Sequence, residues 1–535
     1  MFGSRSSYDS DDFNSKKTQS IAAVATGLIF VVLGVPIWWN TTKVYRANLP
    51  FTEIAELNQD AGLKVGINVN VVVADNCDFE AVKSKLEDYF GNFGGSVSAK
   101  PIFVKYNVTY SPKSVDLGLE GEVAGTIRVA VSCGNFDDFK INVETNREIS
   151  AQIGRKTENL DEFGKILVEV LKQGVVGEEM LEEVVANIRK EGGSGRKDEE
   201  LMKMVPPSSE FEVIFTLLCP DAEKMTWDVE RAILEHITPI LEELKPIFHF
   251  HISSQVLYST KLRVRPKIMK NSTTNEVKYH YLQGNQLSNI INSIESRLGS
   301  HLSTFPTLNF VLYLTDISNN PLYIQKGDGS PSKSNNFLLP RWGGMTIYNP
   351  QEGAREVDLD SVMPTFLTNL RTLVGLRNNY PNIDKQVIFK PPTWPGITGW
   401  ETDYLLRLRS VENVATSTNT LGSLEKLLHQ IDNIIINDDV ADSVFQSVAA
   451  IVEAKQAISV GNLTRAMSSS RDAFVSSQSA FFHPSLLELL YFPEDQKFAI
   501  YVPLFLPISL PVLVSLVFVY KRYKNKDSCD KSKVE

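Results

Sequence analysis

Cysteine and histidine side chains are the groups with which this chain could carry out nucleophilic chemistry. Cys219 ends an apolar run, and His236, His249 and His251 follow it in the next stretch of the sequence. A thiol that passes its proton to a nearby imidazole becomes a nucleophile for acyl transfer. None of these residues lies in a recognisable turn motif, however, and a cysteine at the end of an apolar strand is more typical of a small buried side chain. The pattern therefore favours a structural role for Cys219.

Metal binding is the second chemistry that the histidines suggest. His249 and His251 alternate along a predicted strand, so both imidazoles lie on one face, as two ligands of a metal ion would. The sequence offers no third ligand nearby, and a satisfied or exposed histidine pair accounts for the same spacing. We therefore predict no metal ion and no cofactor, and we assign no catalytic residue.

Two glycine-containing segments have the composition of binding loops. The Gly327–Gly329 turn lacks the Lys-Ser/Thr pair of a phosphate-binding loop and does not connect a strand to a helix, so we interpret it as a turn. Gly343 and Gly344 follow Trp342 and permit a close approach of the backbone. Trp342 is a candidate contact anchor for a partner, and a structural use of the same residues is the alternative.

The charge and the length of the chain exclude one class of partner and bound the number of domains. Its 535 residues, 43% of them hydrophobic, carry a formal net charge of −10. Binding to nucleic acid needs a concentrated basic face, so the acidic balance argues against a nucleic-acid partner. The chain is long enough for one large domain or two medium ones.

Two uncharged segments near the ends of the chain are long enough to span a bilayer, which takes about 20 apolar residues in a helix. Phe498–Tyr520 is followed by the basic run 521–526, and short flanks rich in Lys and Arg stay on the cytosolic side. Ile21–Trp39 ends on two tryptophans, which are typical of a membrane interface. A cleaved signal peptide is the alternative, but no small-x-small cleavage site follows. We predict two transmembrane helices, with both termini cytosolic and the bulk of the chain lumenal.

Three prolines distinguish the C-terminal segment. Pro503, Pro507 and Pro511 are spaced four residues apart, so they share one face of a helix. Each proline removes a backbone donor and bends the helix, which leaves carbonyl groups that need partners within the membrane. We predict that this face contacts membrane helices of other proteins; the alternative is a kinked helix that spans alone.

Several residues between the two apolar segments are expected to carry lumenal modifications. Asn107, Asn271 and Asn462 each begin an Asn-x-Thr sequence and are candidates for N-glycosylation. Of the cysteines on the lumenal side, Cys77 and Cys133 are the nearest in sequence, and we predict a disulfide between them. So few cysteines do not indicate a small module stabilised by disulfides.

The predicted elements alternate between strand and helix, which indicates an α/β (α+β) lumenal domain with a C-terminal helical stalk. Trp227–Leu244 is predicted as one helix, and the stalk helix is predicted to run through Ile436 with Ile434 and Ile435 on its apolar face. The predicted divisions, in which the two α/β units could form one domain, are a cytosolic tail (1–20), a transmembrane helix (21–39), α/β unit 1 (40–190), a linker (191–208), α/β unit 2 (209–397), the stalk (398–497), a second transmembrane helix (498–520) and a basic cytosolic tail (521–535).

Four long segments of the sequence resemble one known family. They are PIWWNTTKVYRANLPF (36–51), PRWGGMTIYN (340–349), WETDYLLRLRSVENVATSTNTLGSLEKLL (400–428) and AFFHPSLLELLYFPEDQKFAIYVPLFLP (480–507). Nearly from end to end, the chain resembles the PIG-S family of subunits of the glycosylphosphatidylinositol (GPI) transamidase. The resemblance is weakest in the C-terminal tail and in the linker.

The resemblance implies an endoplasmic reticulum membrane protein with two spans and a large lumenal domain. The complex of this family replaces the C-terminal signal of a proprotein by a preassembled GPI lipid, and its Cys/His chemistry belongs to a separate, caspase-like subunit. The resemblance implies a non-catalytic role in assembly and substrate presentation. The implied partners are the other transamidase subunits, membrane lipid, and GPI or the proprotein. A membrane-anchored lumenal glycan- or lipid-binding module and a lumenal enzyme with an unrecognised site are the alternatives.

Overall fold

The computed structural model of the chain describes residues 6–34, 36–37, 40, 45–59, 62–91, 101–113, 124–135, 138–154, 158–189, 199–220, 225–271, 276–299, 303–351, 353–393, 396–431, 434–487, 499, 503, 506–507 and 509–521. The chain divides into two compact units. The terminal unit comprises Met1–Phe51, Ser423–Phe445 and Ser479–Glu535, and the central unit comprises Thr52–Gly422 and Gln446–Gln478.

The terminal unit holds the described parts of both apolar segments. Helix α1 (Ser6–Ile29) continues into a π-helical turn, Phe30–Gly34. Gly27 on this helix is buried, and a Cβ atom added there would come within 2.9 Å of the Leu516 side chain. The two apolar segments therefore pack closely at this point.

Among the described residues, no helix combines the length and the apolar character that a membrane crossing needs. Residues 35 and 38–39 of the first predicted span, and 498, 500–502, 504–505 and 508 of the second, lie outside the described part of the chain. Pro503, Pro507 and Pro511 are helical and exposed.

The central unit contains a six-stranded sheet built mainly from the first third of the chain. From edge to edge its strands are β14 (Val387–Phe389), β4 (Lys140–Val143), β5 (Glu148–Ile153), β3 (Thr126–Cys133), β1 (Leu63–Val73) and β2 (Ile102–Pro112). Strands β5, β3, β1 and β2 are parallel, whereas β4 and β14 run in the opposite direction. The helices of this part are α2 (Phe51–Gln59), α3 (Phe79–Gly91), α4 (Glu158–Glu169, continued by the π-helical turn Val170–Val176), α5 (Glu178–Arg189) and α6 (Glu199–Lys203).

A five-stranded sheet follows in the central unit. Its order is β12 (Asn336–Leu339), β13 (Gly343–Tyr348), β10 (Thr307–Leu314), β6 (Glu210–Cys219) and β7 (His249–Tyr258). All are parallel except β12, and β6 and β10 are almost wholly buried, which explains their continuous apolar composition. Strand β7 lies at the edge, has no buried residue, and pairs with β6 alone among the described strands.

The helices of the second sheet are α7 (Val229–Ala232), α8 (Thr238–Leu244), α9 (Gly284–Glu295) and α10 (Leu359–Val374). The helix predicted over Trp227–Leu244 begins at Val229 and continues to Leu244, with a π-helical turn, Ile233–Ile237, between α7 and α8. Pro239 lies in the first turn of α8, where its missing N–H group is tolerated. The ring of Phe366 on α10 packs at tilted angles against the stacked rings of Phe215 and Phe310 in this sheet.

A three-stranded sheet in the order β11 (Leu322–Ile324), β9 (Val277–Leu282) and β8 (Lys267–Lys270) completes the strands. Strands β8 and β9 are antiparallel, and β9 and β11 are parallel. Leu282, Leu322 and Ile324 belong to a buried cluster that also contains Ile290 of α9 and Val311 of β10. One face of the small sheet therefore packs on the core of the central unit.

The last part of the chain is helical. Its helices are α11 (Gly399–Gln430), α12 (Asp438–Val460), α13 (Leu463–Phe481) and α14 (Pro484–Leu487). Gly461, at φ +82°, ends α12 in the left-handed conformation that glycine adopts most easily. The structure confirms a mixed α/β fold with a helical C-terminal region, and the predicted domain boundaries stay predictions.

The predicted extension of the stalk helix to Ile436 is wrong. Helix α11 ends at Gln430, and Ile434 is buried while Ile435 is exposed, an alternation typical of extended chain. Within the terminal unit, the N–H group of Ala47 donates to the carbonyl of Ile436 at 3.0 Å, and the Ile436 N–H group donates to the carbonyl of Tyr45 at 3.2 Å. The backbone here is satisfied by a strand-like bridge instead of a helical turn.

Candidate functional site

Cys219 is buried at the end of β6, and burial raises the pKa of its thiol. His249 and His251 pair with Glu210 and Glu212 at the start of the same strand. At about 3.3 Å per residue, the strand separates its two ends by roughly 23 Å or more. Neither histidine can therefore accept the proton of the thiol.

His249 and His251 form a partnered pair at the surface. Their ring centroids are 4.9 Å apart, with the planes at 77°. His251 Nε2 lies 2.8 Å from Glu210 Oε2, and its ring stacks on Phe305 at 4.8 Å. A carboxylate and an aromatic ring thus account for the position of His251.

One set of three ligand-type side chains comes together within the described part of the chain. Glu235, His236 and Asp360 each place a ligand atom within 4.8 Å of the others, and His236 Nε2 lies 3.0 Å from Asp360 Oδ1. Both carboxylates are exposed, and the hydrogen bond between His236 and Asp360 accounts for the arrangement without a cation. Sequence reasoning missed this set because Asp360 is 124 residues from His236.

The two glycines after Trp342 are required by close contacts. A Cβ atom at Gly343 would lie 1.9 Å from the carbonyl oxygen of Asn309, and one at Gly344 would lie 2.1 Å from the side-chain nitrogen of Asn369. Glycine therefore lets β13 lie directly against β10 and α10. Trp342 is half-buried and packs against the core cluster, and its use as a contact anchor for a partner stays a prediction.

Helix α11 carries charged side chains into the interior of the central unit. Asp403 accepts from Arg147 Nε at 2.8 Å, from Arg147 Nη2 at 3.0 Å and from the N–H group of Gly125 at 3.0 Å. Because Arg147 directly precedes β5, this bidentate pair fixes α11 to the six-stranded sheet. One turn later Arg407 is fully buried, and its burial lowers its pKa.

Two further buried ion pairs involve α11: one reaches helix α10, which packs on the second sheet, and the other lies within α11 itself. Glu401 accepts from Arg371 of α10 at 2.5 Å and from the Tyr380 hydroxyl at 3.2 Å. Arg409 donates to Glu412 at 2.6 Å and to the carbonyl of Val205 at 3.1 Å. The segment 400–428 thus joins elements of both large sheets through buried charge.

A sequence profile described as "PIG-S: Phosphatidylinositol-glycan biosynthesis class S protein" matches residues 25–526 of the chain. The chain belongs to the PIG-S family. The "GPI-anchor transamidase component PIGS" of Bos taurus is 35% identical over 559 residues, which cover 95% of this chain and 97% of the relative. The protein of the same name from Homo sapiens is 35% identical over 540 residues, covering 93% and 94%. The "GPI transamidase component PIG-S homolog" of Schizosaccharomyces pombe is 26% identical over 509 residues, covering 92% and 83%.

The PIG-S match extends over most of both apolar segments and over the whole central unit. It confirms the family resemblance stated from the four sequence segments. The charge network of α11 also lies within the region that the family profile describes. Sequence reasoning could not predict this network, because its partners are far apart along the chain.

The candidate glycosylation sites lie in different environments of the PIG-S fold. Asn107 is on the edge strand β2, and its side-chain nitrogen donates to Asn68 Oδ1 at 3.2 Å. Asn271 is exposed after β8. Asn462 is exposed and accepts the Arg465 N–H group through Oδ1, which leaves the reactive nitrogen outside that bond. Glycosylation of the three residues stays a prediction.

The structure joins Cys77 and Cys133 in a disulfide, with their Cα atoms 5.3 Å apart. The bond links the loop that follows β1 to the last residue of β3. Of the cysteines that the structure describes, Cys219 is free. Pro503, Pro507 and Pro511 lie among residues that are only partly described, so their shared face stays a prediction.

Proposed function

We propose that this protein is an accessory, non-catalytic subunit of a GPI transamidase complex that supports assembly of the complex and presentation of its substrates. The observation that carries the proposal is 35% identity over 95% of the chain to a protein named as a GPI-anchor transamidase component. Its partners are the other subunits, including a caspase-like catalytic one, together with membrane lipid and GPI or the proprotein.

The placement of the nucleophile candidate supports the accessory role. The thiol of Cys219 is buried with a raised pKa, and His249 and His251 lie at the opposite end of the sheet. A cysteine nucleophile needs a lowered pKa and access to its substrate. This placement supports the proposal that the Cys/His chemistry of the complex belongs to another chain.

Two transmembrane segments, 21–39 and 498–520, anchor the chain in the endoplasmic reticulum membrane with both termini cytosolic. Three observations support this topology: both segments are uncharged, the basic run 521–526 follows the second, and Gly27 packs against Leu516. A small residue at such a contact lets two helices approach closely. The disulfide between Cys77 and Cys133 is in keeping with an oxidising lumen around the central unit.

Co-purification tests the proposed function. A tagged full-length chain, extracted in a mild detergent from cells that lack the native copy, is expected to bring down the other transamidase subunits and to restore surface display of GPI-anchored proteins. The Cys219→Ala variant is expected to do both equally well, because its thiol takes no part in the reaction.

Two results would contradict this proposal. Recovery of the chain alone, with GPI-anchored proteins still displayed in cells that lack it, would reject the subunit assignment. Loss of display in the Cys219→Ala variant with normal recovery of the complex would favour a catalytic role. In sealed microsomes, protection of the 521–535 tail from added protease would contradict the topology.

A further inference from the structure

The three-stranded sheet has a second face, which points away from the core cluster. Leu282, Leu322 and Ile324 occupy the core face, so the alternating positions on the same strands occupy the other one. The strand register places Lys267 of β8 opposite Tyr281 of β9, and Tyr281 opposite Tyr323 of β11. Lys267 and these two tyrosines therefore form one row across the outer face, with neighbouring strands about 4.8 Å apart.

A third tyrosine extends this row along β9. Tyr279 contacts Tyr323 edge to face, with centroids 5.6 Å apart and planes at 90°, and contacts Tyr281 at 6.4 Å and 67°. All three rings are half-buried, and none of their hydroxyls has a hydrogen-bond partner among the residues that the structure describes. The outer face thus presents a fixed group of aromatic rings whose polar ends are available.

Positive charge borders the tyrosines. The segment Lys261–Lys270 carries five basic residues and no acidic one in a chain whose net charge is −10. Leu262 and Val264 of this segment pack on the core cluster, and its basic residues are exposed. Pro266 confines Arg265 to an extended conformation, so Arg265 and Lys267 project to the same side about 6.6 Å apart.

Of these cations, Lys261 alone meets a carboxylate among the residues that the structure describes. Lys261 lies 3.7 Å from Asp316, and Lys267 donates to the neutral amide oxygen of Gln283 at 2.8 Å. Among the described residues, no carboxylate forms an ion pair with Arg263, Arg265 or Lys267. Their charge is available to an anion from outside the chain.

We propose that this outer face, made of Arg265, Lys267, Tyr279, Tyr281 and Tyr323, binds a phosphate-bearing sugar. Tyrosine rings pack against the apolar C–H faces of sugar rings and their hydroxyls bond sugar hydroxyls. The planar guanidinium of Arg265 and the ammonium of Lys267 bind phosphate oxygens. The proposal adds a ligand to the accessory role proposed above, and it rests on that role only for a lipid-linked source of the phosphosugar.

A cationic surface alone would also suit an acidic polypeptide, but the three tyrosines favour the sugar. An acidic peptide gains little from flat aromatic rings with available hydroxyls, whereas a phosphosugar uses both the rings and the charges. The acidic peptide is therefore a competitor in the test and not part of the proposal.

Ligand-observed NMR on the full-length chain in lipid nanodiscs tests the proposal. The probes are mannose 6-phosphate, mannose, inorganic phosphate and a peptide of glutamates, and phosphatidylinositol vesicles form a separate arm that distinguishes a lipid headgroup from a free phosphosugar. Mannose 6-phosphate is expected to bind at least about tenfold more tightly than mannose or phosphate alone, because ring and charge contacts add. Saturation of the tyrosine ring protons is expected to transfer to the sugar C–H protons.

Two variants with matched controls locate the contact. Arg265→Ala with Lys267→Ala is expected to weaken mannose 6-phosphate about fivefold, as loss of two exposed charge contacts does. Tyr279→Ala is expected to weaken it to a similar extent and to reduce transfer to the sugar protons. The controls are Arg355→Ala and Tyr258→Ala, which remove an exposed arginine and an exposed tyrosine elsewhere in the central unit and are expected to leave binding unchanged.

Four outcomes would overturn the proposal. They are no measurable binding of mannose 6-phosphate, equal binding by the charge variant, tighter binding of the glutamate peptide, and binding that appears only in Asn271→Gln, which would mean that the chain's own glycan covers the face. None of them alters recovery of the transamidase subunits. A failed ligand site is thereby distinguished from a failed subunit assignment.

Discussion

Two regions of the central unit use the same residue types for opposite purposes. Around α11, Arg147 is paired with Asp403 through two hydrogen bonds, and the two side chains are only 17% and 4% exposed. On the outer face of the small sheet, Arg265 and Lys267 are exposed and without a carboxylate partner among the described residues. In the first region the charges are paired with each other inside the fold. In the second region the positive charges are available to bind a molecule from outside the chain.

The largest effect is expected in the buried region. The Asp403→Ala substitution leaves Arg147 without its bidentate partner and removes a carboxylate that favours the charged form of fully buried Arg407. Breaking one side of a buried ion pair lowers the free energy of unfolding by about 3–5 kcal/mol. Denaturant unfolding of the full-length protein, followed by tryptophan fluorescence, measures this.

Asp360→Ala is the matched control, since its side chain is 68% exposed and pairs only at the surface with His236. We expect this change to stay within about 0.5 kcal/mol of the parent protein. If Asp403→Ala and Asp360→Ala lowered the free energy of unfolding equally, the buried ion pair would be no more important for stability than the surface one.

The second-largest effect is expected where β13 packs against α10 through uncharged groups. A Cβ atom in Gly344→Ala would lie 2.1 Å from the amide of Asn369, which exchanges two hydrogen bonds with Asn336. Such overpacking costs about 1–3 kcal/mol. Gly327→Ala, with nothing within 4 Å, is the comparison, and thermal unfolding of both variants would show whether close contact or glycine itself matters.

A smaller effect depends on pH. Burial, and then the Glu178 carboxylate, raises the pKa of Tyr106, whose hydroxyl donates to Glu178 at 2.5 Å. The folded state therefore keeps this proton longer than the unfolded state does. Its contribution to stability is complete below the unfolded pKa of about 10 and is lost as pH rises above it, by at most about 1.4 kcal/mol per pH unit.

Unfolding midpoints measured from about pH 8 to about pH 11, a range that spans the ordinary pKa of a phenol, are expected to fall less steeply for Tyr106→Phe than for the parent protein. Tyr258→Phe changes a tyrosine that is 60% exposed and should leave the slope as it is. Identical slopes for all three proteins would assign the alkaline loss to other groups.

The smallest effect on stability is expected on the outer face. Arg265→Ala with Lys267→Ala removes exposed charges that no described residue pairs, so the free energy of unfolding is expected to change by about 0.5 kcal/mol or less. The same denaturant experiment measures it. A loss comparable with that of Asp403→Ala would show that these cations serve the fold and not a ligand.

Local composition was sufficient to predict the long buried strands and the later helices. Strand β1 alternates apolar with polar or small residues, β6 and β10 are mostly apolar, and the segment that forms α9 has apolar residues at helical spacing. Short elements were missed where pairing decides the structure. Lys140–Val143 and Val387–Phe389 become neighbouring strands only because the chain brings them together from distant positions.

The candidate sites were less predictable than the fold. The Arg147–Asp403 pair joins residues 256 apart, and nothing in the sequence around either one identifies its partner. The basic segment Lys261–Lys270 was overlooked because its charges alternate with core residues instead of forming a run. Only the strand register shows that Lys267, Tyr281 and Tyr323 share a face.

The edge of β7, which no strand of the described part of the chain covers, has a consequence for how the isolated protein behaves. The strand has ten residues and contains neither lysine nor proline, the residues that usually discourage sheet growth at an open edge. Its outward backbone groups can template a further strand, so concentrated preparations without partner subunits are expected to self-associate through this edge. Introducing a lysine through Ser254→Lys, at an exposed position of the strand, offers a simple way to keep such preparations monodisperse.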